Sequence, residues 1–373
     1  MTDPLPLLRS LIRIPSVNPN DHPGTDRTGE QAVAEFLLAH LRRLGARAKL
    51  QRVSPGRPNV IGVFRAPGKI RRRILLAPHT DTVSIVGMTI DPFNPVVRGG
   101  KVFGRGASDT KGPMAAMLTG LEDFVHSPLW RESGLEITFA GLMGEEAGNE
   151  GAKAWAGVCP DYDLVIAGEP TGLRVVHAHK GAVWIHFSTR GRATHASLSR
   201  PEDNALYRIR PLLEFFEKKI NAQLRPYRHA TLGVPSATLT LLAAGSKVNI
   251  TPAQAQAQAD VRIVPGLNGK KVLQLLHREL PPSIFIHLHA ESPPLFTAPD
   301  HPLVSGVADA AAGLDTAPWF CDAAIFAQRG MPAIALGPGS IHQAHTANEW
   351  ISVAELRRGA RTFHGVLRRL AEV

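Results

Sequence analysis

Cysteine is nearly missing from this chain: Cys159 and Cys321 are the two among 373 residues. They are far apart and form no CxxC pair. That excludes a disulfide framework, points to a reducing compartment and suggests two buried thiols. No apolar run approaches the length a bilayer span requires. The opening stretch, MTDPLPLLRSLIRIPSVNP, is interrupted by Asp3, Arg9 and Arg13, which argues against a secretory leader. Leu5, Leu8, Leu11 and Ile12 instead recur as they would on one side of a short amphipathic helix. The expected location is therefore the cytoplasm. Long blocks of one charge are also lacking. The net charge of +10 is spread over single residues and short clusters such as Arg71, Arg72 and Arg73, or Lys218 and Lys219, without interleaved aromatics. This excludes a nucleic-acid stripe and leaves an Arg-rich solvated surface whose field gathers small anions. Neither a nucleic-acid nor a membrane partner is expected.

What is present is a chain too long for one ordinary core, so two domains are expected. Four runs, Ile74 to Ala77, Leu135 to Ala140, Leu164 to Ala167 and Ala333 to Leu336, have strand length and are apolar on both faces. Strands of a helix-covered parallel sheet read this way. Helical patterns lie between them, from Glu30 to Leu44, stopped by Gly45, and from Pro113 to Val125. The alternation predicts an α/β fold with an open, mostly parallel sheet and helices on both faces. The middle differs. A strand of alternating faces at Val183 to Ser188 leads to a helix from Asn204 to about Asn221. Strands follow near 237–243 and 253–264, then a helix over 268–280 and a strand over 283–289. The order β-α-β-β-α-β is that of a ferredoxin-like split βαβ sandwich. The predicted organisation is a first domain of 1–177 and 293–373, interrupted by a second of 178–292.

Ligands of open α/β sheets bind beyond the carboxyl ends of the strands. Standing there are His79, Glu145 with Glu146, Glu169 and, after a longer loop, His345. Each has an ordinary reading when taken alone. His79-Thr80-Asp81 passes for a solvated turn, Asp109 in GRGASDTKGPMAAML for a helix cap, Glu145-Glu146 for polar surface, and Glu169 for a turn residue. Together they form a donor set. Asp81, two residues from His79 on extended chain, points the same way and can hold the second ring nitrogen. Asp109 can give one oxygen to each of two cations. Of the adjacent acids, one can bind an ion while the other takes a proton from water. Two histidines and three carboxylates suffice for two zinc ions with a shared acid. His342 reads as a loop residue.

HTDTV, GRGASDTKGPMAAM, GEEAGNEGA, GEPTGLRVVHAHKG, RATHAS and GPGSIHQAHTANEW resemble, in order, the signatures of one metallohydrolase family. It contains acetylornithine deacetylase, succinyl-diaminopimelate desuccinylase, aminoacylase and glutamate carboxypeptidase. The likeness covers nearly the whole chain. It implies a zinc-binding α/β domain interrupted by a lid through which two copies form a homodimer. It implies two zinc ions, with cobalt or manganese able to substitute, and a small N-acyl amino acid as substrate. By resemblance, His79 and Glu169 hold one ion, Glu146 and His345 the other, and Asp109 bridges, followed by a cis Asp109–Thr110 peptide. Asp81 orients His79, and Glu145 activates water and later protonates the leaving amine. His195 in the lid steadies the oxyanion, typically in the partner's site, while Asn249 and Arg262 bind substrate; a guanidinium suits a carboxylate.

Two departures bear on pocket shape. Thr110 stands where relatives often carry a larger residue, and Gly144 where many carry an acid. Neither removes a ligand, and Glu145 is present, which speaks against a catalytically inactive relative. Glu169, rather than aspartate, resembles the deacylase and carboxypeptidase branch. EPTGLRVVHAHKG and GPGSIHQAH are most similar to acetylornithine deacetylase, with desuccinylation or another deacylation as the alternative.

Overall fold

The structure is a computed structural model that describes residues 1–20 and 22–372. The chain divides into two compact units. The first comprises Met1–His177, Phe296–Thr316 and Cys321–Val373, and the second Ala178–Leu295 with Ala317–Phe320.

In the first unit the four apolar runs become strands. Arg72–Ala77 pairs in parallel with Leu135–Gly141 on one side and Leu164–Ala167 on the other, and Ala333–Ala335 continues parallel beyond Leu164–Ala167. Every residue of Leu164–Ala167 is buried, so both faces of the sheet are covered there. At the border the sheet turns antiparallel. Arg57–Arg65 pairs with Leu135–Gly141, and Arg47–Ser54 pairs with Arg57–Arg65. The outer strand carries Arg47, Lys49 and Gln51, as suits an edge that must not recruit another strand.

The helices complete the layers. Leu5–Arg13 buries Leu8, Leu11 and Ile12, and Gln31–Arg43 ends where Gly45 takes a φ of 92°. Lys111–Val125 is buried almost throughout and packs against Val353–Glu372. Gly120 permits that approach, because a Cβ there would lie 2.7 Å from the Ala360 carbonyl oxygen. Both cysteines are buried. No helix among the described residues is long and apolar enough to cross a membrane.

The second unit has its own core and an antiparallel sheet in the order Ser236–Ala244, Gln254–Ile263, Gly181–Arg190, Ile284–Ser292. Along Gln254–Ile263, Ala255, Ala257 and Ala259 are buried and Gln254, Gln256 and Gln258 exposed, the period of two of a half-buried strand. The helix expected over 204–221 is broken into Ala205–Arg208, Arg210–Lys218 and Ile220–Leu224. Pro211 cannot donate its backbone hydrogen bond, which accounts for the first break. The other helix is Gly269–Glu279, capped by the Asn268 side chain.

Candidate metal centre

The parallel pairing of Arg72–Ala77 with Leu135–Gly141 continues past both strand ends. The amide of Leu142 donates to the Pro78 carbonyl and that of Thr80 to the Leu142 carbonyl. Two strand exits are thus zipped together, which brings His79 and Asp81 against Glu145 and Glu146. Gly144 makes the turn with φ 73°. A Cβ there would meet Glu150 Oε2 at 3.1 Å, so an acid at this position would be strained and crowded. Asp81 is fully buried and accepts from three donors: the amides of Glu145 and Glu146, each at 3.1 Å, and Asn18 Nδ2 at 2.8 Å. His79 Nδ1 faces the Asp81 carbonyl at 3.0 Å and its carboxylate at 3.3 Å, so backbone and side chain together hold the ring.

His79 Nε2 is 3.0 Å from Asp109 Oδ1, and His345 Nε2 lies 3.4 Å from Asp109 Oδ2 and 3.2 Å from Glu146 Oε2. The two carboxylate oxygens of Asp109 thus face different histidines. The Asp109–Thr110 peptide is cis. Thr110 Oγ1 donates to the Gly168 carbonyl, tying the Asp109 loop to the turn that presents Glu169. Donor atoms of His79, Asp109 and Glu146 all lie within 4.8 Å of one another, a group able to hold a metal ion. Glu169 is buried nearby without a direct contact to these donors. His345 takes a φ of 62° and is half exposed, whereas His342 lies on the exposed loop.

The electrostatics describe a site short of positive charge. Burial pushes Glu145 and Glu169 well above the usual carboxylate range, and burial with the neighbouring Asp109 lifts Glu146 to about 7. Burial acts on Asp109 in the same direction. Its hydrogen bonds to His345 and His79 outweigh that and hold it below its ordinary value. Burial opposes charge on His79, but Asp109 and Asp81 raise it; Asp109 and Glu146 raise His345 to about 10. Among the described residues no lysine or arginine forms an ion pair with Asp109, Glu145, Glu146 or Glu169, and buried Glu146 Oε1 has no hydrogen-bond partner. Four buried carboxylates, two imidazoles and an orphaned oxygen fit divalent cations that take mixed N and O donors.

Sequence reading left two neighbours without a role. Asn18, within IPSVNP, is the side-chain donor to Asp81. Asp322 is buried, accepts from Asn149 Nδ2 at 2.9 Å, and is pushed up to about 6 by burial. In sequence it reads as an ordinary helix cap. The remaining residues singled out above, His195, Asn249 and Arg262, belong to the second unit. His195 and Asn249 lie together, since the Ala196 amide donates to the Asn249 carbonyl at 3.0 Å. The exposed ring of His195 accepts from the Ser197 amide at Nδ1, 3.3 Å away. Arg262 stands apart on Gln254–Ile263, paired at 2.8 Å with Asp260.

Residues 75–369 match the model of peptidase family M20/M25/M40. The acetylornithine deacetylase of Erwinia tasmaniensis is 30% identical over 94% of this chain and 93% of its own length. Among solved structures, an M20 family metallo-carboxypeptidase from Sulfolobus solfataricus superposes with a TM-score of 0.80 at 18% identity, covering all of both chains. A Bacillus subtilis protein described as a dinuclear metal-binding peptidase of the same family gives 0.67 at 14% identity, over 99% of this chain and 97% of that one.

Proposed function

The chain belongs to peptidase family M20/M25/M40, and from that membership, as a metal-dependent amidohydrolase, we propose that it removes the acyl group from an N-acyl amino acid, N-acetylornithine first among them. The observation that carries this reading is the convergence of His79, Asp109, Glu146 and His345 on one another beside a buried Glu145 that, among the described residues, pairs with no lysine or arginine. His79 with Glu169 and Glu146 with His345 would each hold one zinc, and Asp109 would serve both. Bound zinc would supply Lewis acidity for the acyl carbonyl and lower the pKa of water.

The chain's own residues divide the remaining work. Glu145 takes a proton from the attacking water and delivers it to the amine nitrogen as the C–N bond breaks, releasing a carboxylate and an amine. Asp81 holds His79 and the Glu145 backbone in place. His195, whose Nδ1 accepts a hydrogen bond, carries its proton on Nε2 in the neutral form and so presents a donor to the developing oxyanion. Arg262 binds the substrate carboxylate, with Asn249 beside His195. The second unit, spanning about 178–292, is the lid and the homodimer contact, and the enzyme works in the cytoplasm.

Metal analysis of the purified protein, with hydrolysis of a panel of N-acetyl, N-succinyl and peptidyl amino acids, tests the proposal. Stoichiometric zinc with fastest turnover of N-acetylornithine supports it. Preference for a succinyl substrate would transfer the assignment to a desuccinylase. A metal-free protein inert on the whole panel would refute it.

A further inference from the structure

One carboxylate, remote in sequence, grips the loop that presents Asp109. Glu349 is fully buried. Its Oε1 accepts from the amides of Ser108 at 2.8 Å and Asp109 at 3.0 Å. Its Oε2 accepts from the Gly106 amide at 3.0 Å and Arg105 Nη1 at 2.8 Å. The Glu349 carbonyl also accepts from the Gly104 amide at 3.1 Å. The backbone of this loop thus offers a concave set of N–H donors, which calls for an anion with about four acceptor sites. A glutamine keeps the shape but has one oxygen, and its NH₂ would face donors. An aspartate keeps both oxygens but is one methylene short. The next residues, Trp350–Ser352, pair with Lys101–Phe103 and fix the register from which Glu349 reaches in.

The grip also connects two donors of the candidate metal centre. Glu349 follows His345 by four residues on the same segment, and Arg105 reaches back to it through the Thr346 carbonyl at 3.5 Å. The segment delivering His345 and the loop delivering Asp109 are therefore joined at one ion pair, Arg105–Glu349, in which both side chains are buried. Asp109 must aim one oxygen at His79 and the other toward His345, so any shift of its backbone spoils both. We infer that Glu349 is a positioning residue for metal binding, setting Asp109 against His345 by holding the backbone amides of 106, 108 and 109. This rests on the two-metal reading of the site.

The test measures zinc affinity by competition with a chromophoric chelator, together with amide exchange over 104–109 in the zinc-free protein. Wild type, Glu349→Gln, Glu349→Asp and Arg105→Gln are compared. Glu349→Gln should bind zinc about 10–100-fold more weakly and exchange its 104–109 amides faster. Glu349→Asp should fall between it and wild type. Arg105→Gln leaves the three amide bonds and should lose less than Glu349→Gln. Zinc affinity of Glu349→Gln within about twofold of a zinc-binding wild type would overturn the inference alone. A wild type that binds no zinc would overturn the functional proposal and this inference with it. Should Glu349→Gln fail to fold, Glu349→Asp carries the comparison; failure of both would make Glu349 a residue of general stability and overturn its positioning role.

Discussion

The carboxylate of Asp81 accepts a hydrogen bond from the backbone amide of Glu145 at 3.1 Å. The same side chain takes the amide of Glu146 and the Asn18 side chain, while the Asp81 carbonyl faces His79. One buried acid therefore sets a candidate ligand and the candidate proton carrier at once. Asp81→Asn keeps the volume but turns an NH₂ toward an amide or an imidazole. It should weaken zinc binding or lower kcat/KM by about 10–100-fold. Paired metal titration and kinetics check this, and wild-type values in both would detach Asp81 from the site.

Glu145 and His79 should fail in different ways. Glu145→Gln removes the proton carrier without removing a ligand, so zinc content should stay near wild type while kcat falls by about a hundredfold or more. His79→Ala removes a ligand, so metal and activity should disappear together. Zinc per chain and kcat measured on the same samples separate the two. Near-normal turnover by zinc-loaded Glu145→Gln would remove Glu145 from the mechanism.

If His195 serves the site of a partner subunit, two dead variants should rescue each other. His195→Ala loses a donor typically worth about 10²–10³ in kcat, and Glu145→Ala loses the proton carrier. A mixed dimer has one site with both residues intact. Activity is followed against mixing ratio, with subunit exchange confirmed by mass. Exchanged heterodimers as inactive as their parents would confine His195 to its own chain or remove it from the chemistry.

Stability should fall in mild acid by way of buried imidazoles. Burial depresses His179 to about 4, below its ordinary 6.5. The unfolded chain therefore takes the proton first. The His179 contribution is complete above about pH 6.5, is lost as pH falls toward 4, and changes no further below that. The loss between pH 7 and pH 5 is about 2 kcal/mol. Denaturant unfolding of the zinc-free protein at both pH values should show this drop, and His179→Gln should flatten it. His40, depressed by burial and Arg43 to about 4, accounts for part of the slope that remains. Equal slopes for wild type and His179→Gln would contradict the assignment.

The parallel strands were legible because Leu164–Ala167 and its neighbours are apolar on both faces, and few other elements read that way. The hairpin Arg47–Ser54 and Arg57–Arg65 was not. Its outer strand alternates charged residues with small or single apolar ones, and its second strand holds Arg57, whose charge is buried against Glu30 at 2.7 Å. That pairing depends on a residue 27 positions away, which no local pattern reveals. The site divides likewise. Side chains just past strand ends and in Gly-rich motifs announce themselves, so His79, Asp109, Glu146 and His345 could be picked out before they were seen together. Asn18, Asp322 and Glu349 are defined by what they touch across the fold, and each passes for a loop or cap residue in sequence.

The interruption of the first unit also governs the order of assembly. Strand Ala333–Ala335, helix Val353–Glu372 and His345 all follow the second unit in the chain. A ribosome thus releases His79, Asp109, Glu146 and Glu169 long before His345. The second unit, with its own core, can close while the sheet of the first still has an open edge at Leu164–Ala167 and an uncovered helix at Lys111–Val125. During that interval the future centre lacks His345, and the Asp109 loop lacks its Glu349 clamp. The full donor set is therefore complete only once the segment carrying His345 and Glu349 has been made.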